Sequence, residues 1–239
     1  MATAETTVRD IALENPTSIR VFEKYGIDYC CGGRKPLAQA CAERKLEPAT
    51  VLAAIDAAAL PAEGGGPDWT YASLESLCAQ IVATHHAYVR REIPRIWQLA
   101  QRVVARHGDS HPELLHIQRL VKVLGEDLTQ HLAKEETILF PYIANLERNA
   151  AGCGPAPLGC FGTINNPVRM MIAEHDAAGE MLAELRRLTD NFTAPEGACP
   201  TWRGFYQALQ EFERDLHQHV HLENNILFPR ACAMEEKLN

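Results

Sequence analysis

Two segments of the sequence are copies of one pattern: HLAKEETILFP begins at His131 and HVHLENNILFP begins at His219. Aligned at an offset of 88 residues, they share His, Glu, Ile, Leu, Phe and Pro within eleven positions. A repeat of this kind inside a helical region predicts two copies of one helical hairpin. Two hairpins supply four helices, and the simplest packing for four helices joined by short connections is an up-down bundle.

The hydrophobic periodicity supports that prediction over the long C-terminal region. It indicates helices at about 69–107, 112–149, 167–190 and 201–235, separated by Gly- and Pro-rich turns. Strand-like alternation of apolar and polar residues is absent from this region. The predicted fold class is therefore all-α, an up-down four-helix bundle preceded by a small helical domain.

The Pro/Gly segment PAEGGGP divides the chain into its predicted parts. We predict a small helical N-terminal domain at 1–60, a linker at 61–68 and the bundle at 69–239. In the first part, Asn15-Pro16 is typical of a helix start, and Gly26 of a left-handed helix end. Pro36 and Pro48 each predict the start of another short helix. About sixty residues bury little surface alone, so this domain is expected to pack on something or to support a homodimer.

Each copy of the repeat places a histidine and a glutamate four residues apart, His131 with Glu135 and His219 with Glu223. Residues at this spacing share one helix face, with Cβ atoms about 5–6 Å apart. An imidazole nitrogen and a carboxylate oxygen can then converge on one metal ion, or the carboxylate can bridge two. Apolar neighbours place both pairs beside the core, where uncompensated polar groups are costly. A bound metal explains both residues at once.

A further histidine lies upstream of each pair. The second copy offers His175, whereas the first offers the neighbours His85 and His86, which helical phase alone does not separate. Aligning His86 with His175 also aligns the apolar residues that follow, but aligning His85 sets Glu92 against an apolar position. We therefore select His86 and keep His85 as the alternative.

The predicted ligands are four histidines and two glutamates: His86, His131, Glu135, His175, His219 and Glu223. Nitrogen and carboxylate ligands without thiolate suit iron or manganese, and zinc is also compatible. Bridging carboxylates would place two metals about 3.5–4 Å apart. Six protein ligands leave coordination positions open for small molecules. Asp127 and Glu174 lie beside ligands in the sequence and are candidates for imidazole hydrogen-bond acceptors or proton carriers.

The eight cysteines, at 30, 31, 41, 78, 153, 160, 199 and 232, contain no CxxC pair, which argues against a cysteine-built zinc or iron–sulfur site. Cys30 and Cys31 precede two glycines and lie near Arg34 and Lys35, which predicts an exposable dithiol with thiolate character. They are candidate redox or iron-transfer thiols; the alternative is two ordinary loop cysteines. The ILFP segments predict core packing and helix ends.

Composition excludes several classes of function. The net charge of −8 and the pI of about 5.7 do not provide the basic face of a nucleic-acid-binding protein. No apolar run is long enough to cross a membrane. The first residues lack the basic and apolar regions of a secretory signal, so a cytoplasmic location is expected.

These segments together resemble the haemerythrin-like superfamily, and more closely its iron–sulfur cluster repair di-iron family. The resemblance covers nearly the whole chain: TVRDIALENPTSIRVFEKYGIDYCCGG in the N-terminal part, then HLAKEETILFP, EHDAAGE and HLENNILFPRA. It implies a haemerythrin-like four-helix bundle with two non-haem iron ions per chain. The implied terminal ligands are His86, His131, His175 and His219, and the implied bridges are Glu135 and Glu223.

The resemblance also implies a function. Such proteins repair iron–sulfur clusters damaged by nitrosative or oxidative stress, by donating iron, by handling nitric oxide, or both. The implied partners are damaged iron–sulfur proteins, with nitric oxide or O2 as small ligands, and Cys30 and Cys31 would take part.

Two alternatives remain at this point, an NO-binding or NO-reducing di-iron protein and a haemerythrin-type oxygen-binding protein. Oxygen-carrying haemerythrins usually have a second histidine four residues after the one on the third helix. Gly179 occupies that position here, which argues against reversible oxygen carriage and for a more open or labile site.

Overall fold

The structure is a computed structural model that describes residues 2–30, 32–58, 69–155 and 159–238. These ranges are helices joined by turns, and within them there is no strand beyond one isolated bridge between Thr7 and Pro36. The predicted all-α fold class is confirmed. The contacts between Cα atoms divide the chain into two compact units, one of Met1–Ser73 with His217–Arg230 and the other of Leu74–Leu216 with Ala231–Asn239.

The first unit contains four short helices, which are α1 Val8–Glu14, α2 Ser18–Tyr25, α3 Leu37–Glu43 and α4 Pro48–Ala58. Their apolar faces meet in one small core around the fully buried Phe22 and Leu37. The predictions made from Gly26, Pro36 and Pro48 are confirmed. Gly26 ends α2 with φ 65°, a left-handed conformation that costs glycine little, and α3 and α4 begin at or directly after their prolines.

The predicted start of α2 is displaced. The helix begins at Ser18 rather than at Pro16, because the Asn15 side chain closes a turn before it. Its Oδ1 atom accepts hydrogen bonds from the Thr17 N–H at 3.2 Å and the Thr17 hydroxyl at 2.6 Å. The predicted linker at 61–68 lies outside the described residues, and the domain boundaries given above stay a prediction.

Long helices interrupted by wider turns form the second unit. Its elements are α5 Leu74–Ile81, π1 Val82–His86, α6 Ala87–His107, α7 Glu113–Lys134, π2 Glu135–Leu139, α8 Phe140–Ala150 and α9 Asn165–Leu188. The chain continues through α10 Pro200–His221, π3 Leu222–Leu227 and α11 Phe228–Leu238, of which the parts up to Leu216 and from Ala231 belong to this unit. None of the helices in the described ranges has both the length and the apolar character needed to cross a membrane.

The three π-helical segments each contain a predicted ligand, and this feature escaped the sequence analysis. His86 ends π1, Glu135 begins π2 and Glu223 is the second residue of π3. In π2 and π3 the carbonyl of the glutamate accepts a hydrogen bond from an N–H five residues later. Single π-helical turns inside α-helices occur frequently at functional sites.

The ILFP motifs explain where two of these wide turns lie. Pro141 and Pro229 lack an N–H, and a proline ring crowds the carbonyl four residues before it. A wider turn just before the proline relieves that crowding. The helix then continues, as α8 to Ala150 and as α11 to Leu238. The prediction that ILFP marks helix ends is therefore wrong.

A close approach of α6 to α7 at Gly125 yields a testable prediction. A Cβ atom at Gly125 would lie 2.9 Å from Cγ2 of Ile93, a β-branched side chain with little freedom to turn away. We expect Gly125→Ala to lower the free energy of unfolding by about 1–3 kcal/mol through overpacking. Gly204→Ala in α10 has open space around its Cβ and should raise that free energy by about 0.5–1 kcal/mol. Urea unfolding of both variants tests this, and equal effects at the two sites would contradict the packing argument.

Candidate metal centre

Four buried side chains converge in the second unit: His86, His131, Glu135 and His175. The Glu135 Oε2 atom lies 3.4 Å from Nε2 of His86 and 3.4 Å from Nε2 of His131. The Nε2 atoms of His131 and His175 are 3.0 Å apart. The four residues come from three separate helical stretches, so helix packing assembles a buried His/Glu cluster of the kind that holds a metal ion.

The state of Glu135 tests whether a metal fits this cluster. Its side chain is fully buried, and neither carboxylate oxygen accepts a hydrogen bond from the residues that the structure describes. An uncompensated buried carboxylate is strongly unfavourable, and a coordinated cation removes that cost. The 3.0 Å separation of the two imidazole nitrogens also matches two ligands at right angles on one ion with bonds of about 2.1 Å. The donor set therefore fits a metal such as iron.

In the first unit, His219 and Glu223 form the other predicted pair. Both side chains are fully buried, and Nε2 of His219 lies 3.0 Å from Oε1 of Glu223. The pair spans the junction of α10 and π3 and keeps the predicted spacing of four residues on one face.

Carboxylates orient two of the imidazole rings in the second unit. Nδ1 of His86 lies 2.6 Å from Oε1 of Glu136, and Nδ1 of His131 lies 2.7 Å from Oε2 of Glu174. Since an ionised carboxylate only accepts, each Nδ1 carries the proton and donates it. The Nε2 atom of each ring then carries the lone pair that can bind a metal, and it lies on the side of Glu135.

Cationic side chains keep these two acceptors ionised. Burial opposes the ionisation of Glu136, but hydrogen bonds from Arg90 and His86 outweigh it and hold the pKa of its carboxyl below the ordinary value. For Glu174, burial is likewise outweighed by hydrogen bonds from Lys134 and His131, which lower its pKa. Both carboxylates therefore remain acceptors at neutral pH.

The structure separates the candidates that the sequence left open. It brings His86 to Glu135, whereas Nδ1 of His85 faces Asp215 at 3.0 Å. Glu174 contacts His131 as described above. Asp127 is exposed, and no hydrogen bond joins it to an imidazole in the described part of the chain, because the Nδ1 atom of His131 is directed towards α9.

Three residues of the site were missed by sequence reasoning, Glu136, Arg90 and Lys134. The repeat does not reveal Glu136, because the second copy has Asn224 at the matching position. Arg90 and Lys134 act through carboxylates on other helices, and such pairs depend on how helices pack. The adjacent acidic residues Glu135 and Glu136 were the one available signal.

The first cysteine of the predicted dithiol, Cys30, is buried. Its side chain is only 5% exposed, and its Sγ atom lies 3.3 Å from Oδ1 of Asp28. Asp28 also accepts hydrogen bonds from the N–H groups of Cys30 and Gly32, which folds the loop over the thiol. Lys35 pairs with Glu43 at 2.7 Å instead of facing the thiol. Cys30 is therefore buried, Cys31 lies outside the described residues, and the redox or iron-transfer role of the pair stays a prediction.

A cavity of about 270 Å³ adjoins the cluster in the second unit. His131 and His175 line it together with Glu174, Lys134 and Met181. Because a water molecule occupies about 30 Å³, the cavity has room for several waters or a small molecule beside the ligand nitrogens.

Known proteins are similar to this chain over nearly its whole length. Residues 79–231 match the hemerythrin HHE cation binding domain, and residues 4–59 match a domain of unknown function, DUF542. The iron-sulfur cluster repair protein YtfE of Escherichia coli O157:H7 is 35% identical over 235 residues, which cover 98% of this chain and 100% of that protein. The chain belongs to the YtfE family. The YtfE protein of Escherichia fergusonii matches with the same identity and coverage.

Membership of the YtfE family confirms the resemblance stated from the sequence. The HHE match includes every predicted ligand, and the DUF542 match lies within the predicted N-terminal domain. The helical bundle and the preceding small helical domain are thus both properties of this YtfE-family chain.

The orienting carboxylates give a prediction for this YtfE-family chain. Glu136→Gln and Glu174→Gln retain side-chain size but replace a charged acceptor with an amide. We expect each to weaken metal binding by about 10–100-fold, the usual effect of losing a partner of a metal-bound histidine. Competition with a chromogenic chelator measures the affinity. Gln130→Ala, an exposed change on the same helix as His131, should leave it unchanged, and equal effects of all three would contradict the orienting role.

Proposed function

We propose that this YtfE-family protein repairs damaged iron–sulfur clusters, with a carboxylate-bridged di-iron centre as its source of iron. The proposed ligands are His86, His131, Glu135, His175, His219 and Glu223. The observation that carries the proposal is the position of the fully buried Glu135 carboxylate. Its Oε2 atom is equally distant from the Nε2 atoms of His86 and His131, and neither of its oxygens accepts a hydrogen bond from the described residues. A carboxylate so placed suits a bridge between two metal ions.

The repeat supports the full ligand set. The pair His219 and Glu223 matches His131 and Glu135 in spacing, in burial and in its place at the edge of a π-helical segment. A protein that buries two such pairs bears a large desolvation cost unless cations compensate both. The name of the YtfE relatives, iron-sulfur cluster repair protein, supports the task assigned to the iron.

Two bound iron ions would supply one-electron redox chemistry and a store of transferable iron. The protein's own groups hold and orient the ligands. Glu136 and Glu174 fix the protonation of two imidazoles, and the bundle excludes most water from Glu135. Their cationic partners Arg90 and Lys134 are partly exposed, so solvent or a client protein can reach this outer layer of hydrogen bonds without unfolding of the core. As the cargo in this scheme, iron would pass to a damaged cluster in a client protein.

Handling of nitric oxide is a second candidate function, favoured by the cavity beside His131 and His175. A small diatomic molecule fits this space. Oxygen carriage is less favoured, because Gly179 replaces the additional histidine that the resemblance associates with oxygen carriers. A cytoplasmic location and a homodimer stay predictions.

Recovery of a damaged enzyme tests the main proposal. A [4Fe–4S] enzyme inactivated with nitric oxide would be incubated with the iron-loaded protein, with the Glu135→Gln variant, or with free iron at the same concentration. Faster recovery with the wild-type protein alone is expected. Equal recovery with free iron would contradict iron donation.

Anaerobic titration of the reduced, iron-loaded protein with nitric oxide tests the second candidate. Binding accompanied by N2O in the gas phase would indicate reduction. Binding without N2O would indicate an NO-binding protein, and the absence of binding would rule out both roles.

A further inference from the structure

One helical stretch of the first unit carries two interleaved sets of residues. His219 and Glu223 are the proposed ligands, four residues apart. His217, His221 and Asn225 also follow one another at intervals of four, displaced from the ligands by two positions. Residues two apart point to opposite sides of a helix, so the second set faces away from the ligand atoms.

The second set contacts the N-terminal helical domain through Tyr29. The Tyr29 side chain is fully buried, and its ring lies edge-on to the rings of His217 and His221, with centroids 6.2 Å and 5.5 Å apart. The Asn225 side-chain amide donates a hydrogen bond to the Tyr29 carbonyl at 3.2 Å. That carbonyl belongs to the peptide bond preceding Cys30.

The other end of Tyr29 is held as well. Its hydroxyl donates to Oε1 of Glu23 at 3.1 Å, and the same oxygen accepts a hydrogen bond from the Gln218 amide at 2.8 Å. The ring also stacks on Phe22, with an interplanar angle of 25°. Tyr29 is therefore fixed by contacts at its carbonyl, its ring and its hydroxyl.

The first copy of the repeat shows that metal binding alone does not require these contacts. At the offset of 88, the residues matching the second set are Thr129, Ala133 and Thr137, and all three are exposed. The hydroxyls of Thr129 and Thr137 bond back to carbonyls of their own helix, at 2.7 Å and 2.6 Å. The two copies share the ligand pair but differ on the opposite face, where only the second copy contacts another domain among the described residues.

We propose that Tyr29 and Asn225 are positioning residues for Glu223, through which the N-terminal helical domain controls how firmly iron is held. This inference rests on the proposed function, which assigns Glu223 as a ligand. Asn225 and Glu223 lie in the same π-helical segment, a rare kind of turn that is frequent at functional sites. Loss of the Asn225 amide removes a hydrogen bond to the buried Tyr29 and with it a contact that stabilises the wide turn. The Glu223 carboxylate then loses its fixed position.

Hydrogen exchange of the metal-free protein tests the positioning role without any bound iron. We expect Asn225→Ala to raise the exchange rate of the amides in Leu222–Leu227 by about tenfold or more. The matched change Thr137→Ala, at the same place in the first copy, should leave exchange in Glu135–Leu139 unchanged. Unaltered exchange in Asn225→Ala would overturn the proposal.

Iron loss supplies the second readout. Iron-loaded wild-type, Asn225→Ala and Thr137→Ala proteins would be mixed with excess ferrozine, a ferrous-iron chelator, at a temperature where circular dichroism shows all three folded. We expect iron to leave Asn225→Ala about tenfold faster than wild type and Thr137→Ala at the wild-type rate. Equal rates in all three would overturn the proposal.

Tyr29→Phe keeps the ring contacts and removes only the hydrogen bond to Glu23, so it guards against misfolding of the alanine variant. Its iron loss and its exchange in Leu222–Leu227 should lie between those of wild type and Asn225→Ala; wild-type values for both would count against the proposal. If the wild-type protein binds no iron, the proposed function fails, while hydrogen exchange still decides whether Tyr29 and Asn225 position the segment.

Discussion

Glu135→Gln is expected to abolish tight metal binding while it stabilises the metal-free chain. The carboxylate is fully buried and accepts no hydrogen bond from the described residues. Without metal its charge is a burden, and an amide of the same shape should raise the free energy of unfolding by about 1–3 kcal/mol. With metal, the variant lacks the proposed bridge itself. Since loss of even an orienting partner usually weakens metal binding by about 10–100-fold, its metal content should fall below about a tenth of the wild-type value after gel filtration.

Elemental analysis and urea unfolding of the metal-free proteins measure the two effects. Glu126→Gln is a suitable control, because Glu126 is exposed on α7 and its ion pair in the described part of the chain is with Lys122, at 3.7 Å. It should change neither metal content nor stability by a measurable amount. A Glu135→Gln protein that keeps its metal, or whose metal-free form is less stable than wild type, would contradict this account of the buried carboxylate.

Removal of the metal is expected to lower the Tm of the protein more than any of the substitutions described above. A ligand that binds only the folded state adds about 4 kcal/mol when its free concentration is a thousand times its Kd. For a chain of this size that corresponds to a fall in Tm of about 8–16 °C on metal removal.

Calorimetry before and after chelation, and again after iron is restored, checks this expectation. The fall in Tm should be smaller in Glu135→Gln, which has little metal to lose. An unchanged Tm in the wild-type protein would mean that the buried cluster gains nothing from a metal. A fall in Tm that added iron does not reverse would indicate that chelation damages the protein. The metal should then be removed by mild dialysis instead.

The fold and the placement of the two His/Glu pairs on shared helix faces could be predicted because both depend on spacing along single helices. A period of 3.6 residues locates the long helices to within a few positions. Gly26 and Pro48 mark the end of the short helix α2 and the start of α4 by local backbone chemistry. The four-residue spacing of His131 and Glu135 requires one shared face wherever the helix packs. The preference for His86 over His85 came from the repeat, which carries information about packing that one helix does not contain.

Interactions between helices could not be predicted in the same way. Glu136 orients His86, and Glu174 orients His131, across helices that no local pattern connects. The loop around Asp28 that buries Cys30 likewise depends on three-dimensional closure. The π-helical segments were predictable only in part, since Pro141 and Pro229 predict an irregularity in the helix but do not indicate whether the helix continues beyond it.

The role inferred for Tyr29 connects these observations to function. Proposed ligands and contacts to the N-terminal domain alternate along one helical stretch, so movement of that domain would change the hold on Glu223. A store that must release iron to a client benefits from a ligand whose position depends on a separate domain. Thr137, which matches Asn225 in the first copy, is exposed. We therefore expect only the ligand of the second copy to depend on the N-terminal domain.

The most direct test of the central claim is the metal content of the purified wild-type protein, measured by elemental analysis together with Mössbauer spectroscopy of iron-57. The six-ligand centre predicts two iron atoms per chain in similar nitrogen and carboxylate environments, magnetically coupled to each other. One isolated iron per chain, or zinc in place of iron after growth with both metals, would contradict it.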